Sequence, residues 1–284
     1  MRASVYNGLS MYEIAPDVAV VPMLIANAYL AGNANSWALV DAGVPGSQRR
    51  IRRAAAKRFG RGARPKAIIL THGHFDHAGS AGVLADEWGV PVYVHPLEFP
   101  FLAGRSHYPP LDSTPPGFFS ALSRFFPNST VNLGHRLAAL DLARPPAGLE
   151  AWECHHTPGH TMGHVAFFRR EDGVLLAGDA VTTMNLDSFV GTLMKRREIC
   201  RPPVPATMDW DRARQSVELL AALGPRLVAA GHGAPIQNAA GELRRLADRF
   251  PIPVRGRYVR EPVRADETGV TYVPPKENRL TYRA

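Results

Sequence analysis

The segment Thr71-His72-Gly73-His74-Phe75-Asp76-His77 constrains this chain more than any other. It follows directly on KAIIL, a short apolar run that reads as a buried strand. A His-x-His-x-Asp-His run at a strand end packs four ligand-type side chains into one loop. Two imidazoles one residue apart can grip one ion, while the following Asp and His turn towards a second. Imidazole and carboxylate donors suit zinc, iron or manganese, and the absence of cysteine among them points to a catalytic rather than a structural site.

Three more residues of the same kind stand in matching surroundings: His160 in HTPGHT, Asp179 in LLAGDA and His232 in AAGHG. Each follows an apolar strand-like run and sits beside glycine, where the backbone can tighten and approach an ion. The remaining histidines exceed what a metal centre needs. His155, His156 and His164 read as hydrogen-bonding strand or loop residues, His95 as a strand-tip residue, and His107 and His135 carry no assignment. Cys154 alternates with strand residues and reads as a small buried hydrophobe.

Around these motifs the chain starts β-rich, with VAVVPMLIANAYLAG and SWALVDAG, and continues as a helix from about residue 47 to 60 with Ser47 as N-cap and Gly60 as stop. A helix over about 78–88 and the strand PVYVH follow. Residues 97–146 break this rhythm with many Pro and Phe and read as an insertion or lid; Phe99, Phe101, Tyr108, Phe118 and Phe119 are candidates for an apolar acyl pocket. The strand pattern then restarts, and a helix over about 209–223 carries Trp210, Ala213, Val217 and Leu220 on one stripe. A last helix begins near Asn238. The division expected is one domain over residues 1–250 and an extended tail over 251–284 that packs on the body or on a partner chain, which invites a homodimer.

A chain of 284 residues with 45% hydrophobic side chains can bury a full core without disulfides, and its two cysteines, Cys154 and Cys200, form no metal-binding pair. No export signal and no run approaching the roughly 20 apolar residues of a membrane span are evident. A cytoplasmic, non-membrane protein is therefore expected. The net charge of +8 raises the question of a polyanion partner. The arginines are scattered over two helices and the tail, however, and read as solvated faces. A small-molecule substrate rather than nucleic acid is expected.

The order HxHxDH, then His in TPGHT, Asp in GD and His in GHG resembles the metallo-β-lactamase superfamily over residues 41–233. The resemblance implies an α+β fold, a four-layer αββα sandwich with the ligand loops along one edge. Carried over by position, His72, His74 and His160 hold one divalent ion, Asp76, His77 and His232 hold the other, and Asp179 bridges them. Zinc is the first expectation, with iron or manganese as alternatives. Asp41 resembles the family's early aspartate that orients a ligand imidazole. Two ions roughly 3.5–4 Å apart lower the pKa of a shared water towards about 7. The implied activity is hydrolysis of an ester, thioester or lactone carbonyl by a bridging hydroxide, with Asp76 orienting the nucleophile or moving a proton.

The bridging Asp179 is similar to the hydroxyacylglutathione hydrolase and lactonase branch and unlike β-lactamases. Glutathione-binding C-terminal helices are not recognised in the sequence, and the tyrosine that lactonases place shortly after the bridging aspartate is missing from GDAVTTMNLDSF. Two alternatives stay open: a phosphodiesterase or nuclease of the same fold, and a persulfide dioxygenase with a single iron. Retention of Asp76, His77 and His232 argues against the second.

Overall fold

Alternating side chains along the strands dictate the layering. The structure, a computed structural model, describes residues 10–126, 131–190, 196–253, 264–266 and 269–271. Its first sheet holds seven strands in chain order: β1 (Tyr12–Ala15), β2 (Val18–Pro22), β3 (Asn27–Gly32), β4 (Trp37–Val40), β5 (Ala67–Ile69), β6 (Val92–Val94) and β7 (Leu137–Ala139). Pairing is antiparallel from β1 to β4 and parallel from β4 to β7. The second sheet contains β8 (Glu153–His156), β9 (Val165–Arg169), β10 (Val174–Gly178), β13 (Leu227–Ala230) and β14 (Ile236–Gln237), in the spatial order β14-β13-β10-β9-β8. Between β10 and β13 the chain makes a separate two-stranded ribbon, β11 (Thr182–Met184) with β12 (Arg197–Cys200).

One set of alternate residues, including Val20, Tyr29, Val40 and Ile69, meets Val165, Phe167, Leu176 and Ala229 in the core between the sheets. The opposite set, including Val21, Leu30, Leu39 and Ile68, packs outward on α1 (Gln48–Phe59) and α3 (Ala81–Trp88) through Ile51, Ala54, Leu84 and Trp88. On the far side, Phe168, Leu175 and Val228 pack on α6 (Trp210–Ala222) and α7 (Ala240–Asp248) through Val217, Leu220 and Leu243. Each sheet thus buries both faces, and the layers run helix, sheet, sheet, helix, as expected for the α+β sandwich. The stripe Trp210, Ala213, Val217 and Leu220 is the buried face of α6, and Asp209 caps that helix by accepting from the Arg212 amide at 3.0 Å.

The helix expected over about 78–88 is α3, which starts three residues later, at Ala81. A single turn, α2 (Phe75–Ala78), carries Asp76 and His77, and α3 starts only after Ser80. Ser80 is the cause: its hydroxyl donates to Val44 O at 2.8 Å and accepts from the Ser47 amide at 2.9 Å, tying this turn to the start of α1. Within residues 97–146 lie α4 (Phe99–Leu102) and α5 (Phe118–Ser123), but also β7, which pairs with β6 at the edge of the first sheet. Most of the tail over 251–284 lies outside the described residues. Its described parts are residues 251–253 and an antiparallel pair, β15 (Arg264–Asp266) and β16 (Gly269–Thr271), with β16 beside α4. Among the described residues, no helix is long and apolar enough to cross a membrane.

Candidate metal centre

Strand ends deliver every member of the predicted constellation to one edge of the sandwich. His72, His74, Asp76 and His77 follow β5, Asp179 follows β10, His232 follows β13, and His160 lies in the loop between β8 and β9. Their donor atoms form three overlapping groups, His72/His74/His160, His72/His77/Asp179 and Asp76/His77/His232, each within 4.8 Å. All seven predicted residues are brought together.

Outer hydrogen bonds decide which imidazole nitrogens face inward. Asp41, held at a positive φ of 59°, accepts from the Thr71 amide at 2.8 Å, the Thr71 hydroxyl at 2.9 Å and His77 Nδ1 at 2.8 Å. With its proton spent on Asp41, Thr71 Oγ1 accepts from His72 Nδ1 at 3.0 Å. Thr207 donates to Pro203 O at 2.8 Å and so accepts from His160 Nδ1 at 3.3 Å. His232 Nδ1 donates to Ile25 O at 2.9 Å. A neutral imidazole protonated at Nδ1 presents a lone pair at Nε2. Four Nε2 lone pairs, from His72, His77, His160 and His232, therefore converge.

That convergence fits divalent ions and fits little else. His74 Nδ1 lies 3.0 Å from both His72 Nε2 and His160 Nε2, closer than neutral nitrogens sharing too few protons settle without a cation. Asp179 stands between the two halves, with Oδ2 3.4 Å from His160 Nε2 and 3.1 Å from His232 Nε2, and Oδ1 3.5 Å from His77 Nε2. Asp76 Oδ2 lies 3.6 Å from His232 Nε2. Both His77 Nε2 and Asp179 Oδ1 are buried without a hydrogen-bond partner. Gly231 keeps the cradle open, because a Cβ there would collide with Asp179 Oδ1.

The electrostatics agree. Burial holds His72 and His160 well below the usual imidazole pKa and His74 at about 4, so these three stay neutral donors at neutral pH. At His77 and His232 burial is outweighed by the carboxylates, chiefly Asp179, and the pKa rises. The acidic half of the site demands positive charge.

Several supporting residues carry no sequence signal. Glu98, fully buried, accepts from Gly73 N at 3.0 Å and from the Tyr108 hydroxyl through Oε2, and from Thr161 Oγ1 at 2.7 Å and Gly163 N at 2.8 Å through Oε1. It ties the His72–His74 loop to the His160 loop, yet in sequence it is one glutamate in PLEFP. Asn27 Nδ2 donates to Ala230 O at 3.0 Å and Gly233 O at 2.7 Å, holding the His232 loop from the first sheet. His164 is a hydrogen-bonding residue: its Nε2 accepts from the Asp179 amide at 2.9 Å, Nδ1 meets Thr157 Oγ1 at 2.8 Å, and burial brings its pKa to about 3. His95 and His156 stack with ring centroids 4.3 Å apart.

Above the histidines opens a pocket walled by Ile25, Phe75, Tyr108, Leu111, Phe119 and Phe126, among others. Of the five aromatic candidates from residues 97–146, Tyr108 and Phe119 line it. Phe101 instead stacks on Tyr108 at 4.0 Å, Phe118 packs edge-on against Phe189, and Phe99 joins the helix-side core.

Known proteins share this fold. The family model of the metallo-beta-lactamase superfamily matches residues 21–232. The chain is 38% identical over 245 residues to the probable metallo-hydrolase YflN of Bacillus subtilis (strain 168), covering 84% of this chain and 93% of that protein. Among solved structures it is similar to the metallo-beta-lactamase family protein TTHA1429 from Thermus thermophilus, with TM-score 0.58 and 24% identity over 84% of this chain and 80% of that one. It is also similar to TTHA1623 in a di-iron-bound form, with TM-score 0.54 and 25% identity over 80% of this chain and 96% of that one. In motif order, layering and matched span alike, this chain belongs to the metallo-β-lactamase superfamily.

Proposed function

We propose that this metallohydrolase holds two divalent ions and cleaves an ester, thioester or lactone carbonyl of a small molecule. The observation that carries the reading is the convergence of imidazole lone pairs and carboxylates at the floor of a pocket whose walls are otherwise uncharged. His72, His74 and His160 would hold one ion, Asp76, His77 and His232 the other, with Asp179 between them. Zinc suits this donor set, and so do iron and manganese; the di-iron form of TTHA1623 supports iron as an alternative. When bound, the pair of ions supplies a hydroxide nucleophile at neutral pH and polarises the carbonyl oxygen.

The protein's own groups do the rest. Asp41 and Thr71 keep His77 and His72 in the tautomer that faces inward. Asp76, which lines the pocket, takes a proton from the attacking water and returns it to the departing alkoxide or thiolate as the carbonyl C–O or C–S bond breaks. The apolar walls position the substrate and exclude bulk water. A small-molecule substrate in the cytoplasm, with part of residues 97–146 acting as a lid, belongs to the same proposal.

The pocket also weighs against a phosphodiesterase, because no lysine or arginine is among its described lining residues. The complete Asp76/His77/His232 group weighs against a single-iron dioxygenase. The test is turnover of p-nitrophenyl acetate, a neutral thioester, a lactone and bis-p-nitrophenyl phosphate by metal-replete protein. Cleavage of carbonyl substrates, abolished by Asp179→Ala, is expected. Cleavage of the phosphodiester alone would overturn the reading.

A further inference from the structure

The walls of the pocket differ sharply from its floor. Its chargeable lining groups are His74, Asp76, His160, Asp179 and His232, all members of the metal constellation. The walls are Ile25, Phe75, Leu111, Phe119, Phe126 and Pro203, and no basic side chain is among the described residues that could meet an anionic substituent. Burying a carboxylate there without a partner is costly, whereas burying methylenes is favourable.

Helix α5 extends the apolar surface outward. Phe119 and the following Phe126 pack together with centroids 5.3 Å apart and line the pocket. On the outer side of the same segment Leu122 and Phe125 are exposed, Phe125 by 73% and with the Arg124 guanidinium 5.0 Å over its ring, and Phe118 meets Phe189, itself 57% exposed. A surface helix ordinarily turns polar residues to water. Here the apolar wall runs from the histidine floor to Phe119 and Phe126, and the next ring in the chain, Phe125, stands exposed.

We propose that the substrate is a neutral ester or thioester with an apolar acyl chain, bound along the Phe119–Phe126 wall with its far end towards Phe125. This rests on the carbonyl-hydrolase reading above. The occupant is the chain of the substrate itself, since the apolar wall begins at the groups that would do the chemistry and no lysine or arginine is among its described lining residues. A carboxylated acyl group meets an uncompensated desolvation.

The experiment measures kcat/KM for p-nitrophenyl acetate, butanoate, hexanoate and decanoate, each below its critical micelle concentration, and for the p-nitrophenyl hemiester of succinate, all with metal-replete protein. The expected result is a rise of about three- to fourfold per methylene up to hexanoate, with the hemiester at least about tenfold slower than butanoate. Phe119→Ser and Phe126→Ser, checked for retained metal, are expected to lower the hexanoate-to-acetate ratio, and Phe125→Ser the decanoate-to-hexanoate ratio. Turnover that is flat along the series, or fastest with the hemiester, or ratios unchanged in the variants, would overturn the acyl-chain proposal while leaving the hydrolase reading standing. No cleavage of these esters, nor of the thioester and the lactone named above, would overturn the hydrolase reading beneath it.

Discussion

Asp41 Oδ2 lies 2.8 Å from His77 Nδ1, and the same carboxylate accepts from the amide and the hydroxyl of Thr71. One side chain outside the ligand set therefore orients two imidazoles, His77 directly and His72 through Thr71. Asp41→Asn replaces one acceptor oxygen by a donor and opposes the His77 Nδ1 proton. Metal affinity is expected to fall roughly 10–100-fold, measured by competition with a chromophoric chelator. Unchanged affinity would show that the His77 tautomer is held by something else.

Glu98 is expected to matter to the three-histidine half of the centre without touching substrate. Its two oxygens receive one backbone N–H each, from Gly73 and Gly163. In Glu98→Gln only one oxygen remains, so one of these buried donors faces an amide NH2 in either orientation. A loss of about 1–3 kcal/mol of stability is expected, seen as a lower thermal midpoint, together with weaker binding of one ion rather than both. Equal weakening at both sites would assign Glu98 a global role only.

The two thiols should be silent in the folded protein. Burial raises Cys154 to about 12, and burial with nearby Glu198 and Asp187 raises Cys200 to about 12. A raised thiol pKa means that the reactive thiolate is scarce until the pH approaches that value. At pH 8, iodoacetamide is expected to leave both unmodified in the native state and to alkylate both in denaturant, as read by mass spectrometry. Rapid native labelling of Cys154 would contradict its packing against the inter-sheet core.

The clustering of the seven candidate residues was legible because metal chemistry demands particular side chains, and these stand at or near strand ends beside glycines. The layers were legible because strands buried on both faces read as unbroken apolar runs. The supporting shell was not legible. Glu98, Thr207 and Asn27 act through long-range contacts, of which Glu98 to Gly163 spans 65 residues and Asn27 to Gly233 spans 206. No local pattern of polarity announces such a contact. The start of α3 at Ala81 rather than Ala78 escaped for the same reason: the ties of Ser80 to Val44 and Ser47 are tertiary.

The central claim is that two ions share Asp179. Elemental analysis of the purified protein, loaded with zinc and then dialysed, tests it most directly. About two ions per chain are predicted, with a clear loss of bound metal in Asp179→Ala. A single ion per chain at saturation, or an Asp179→Ala protein that keeps its full complement, would contradict it.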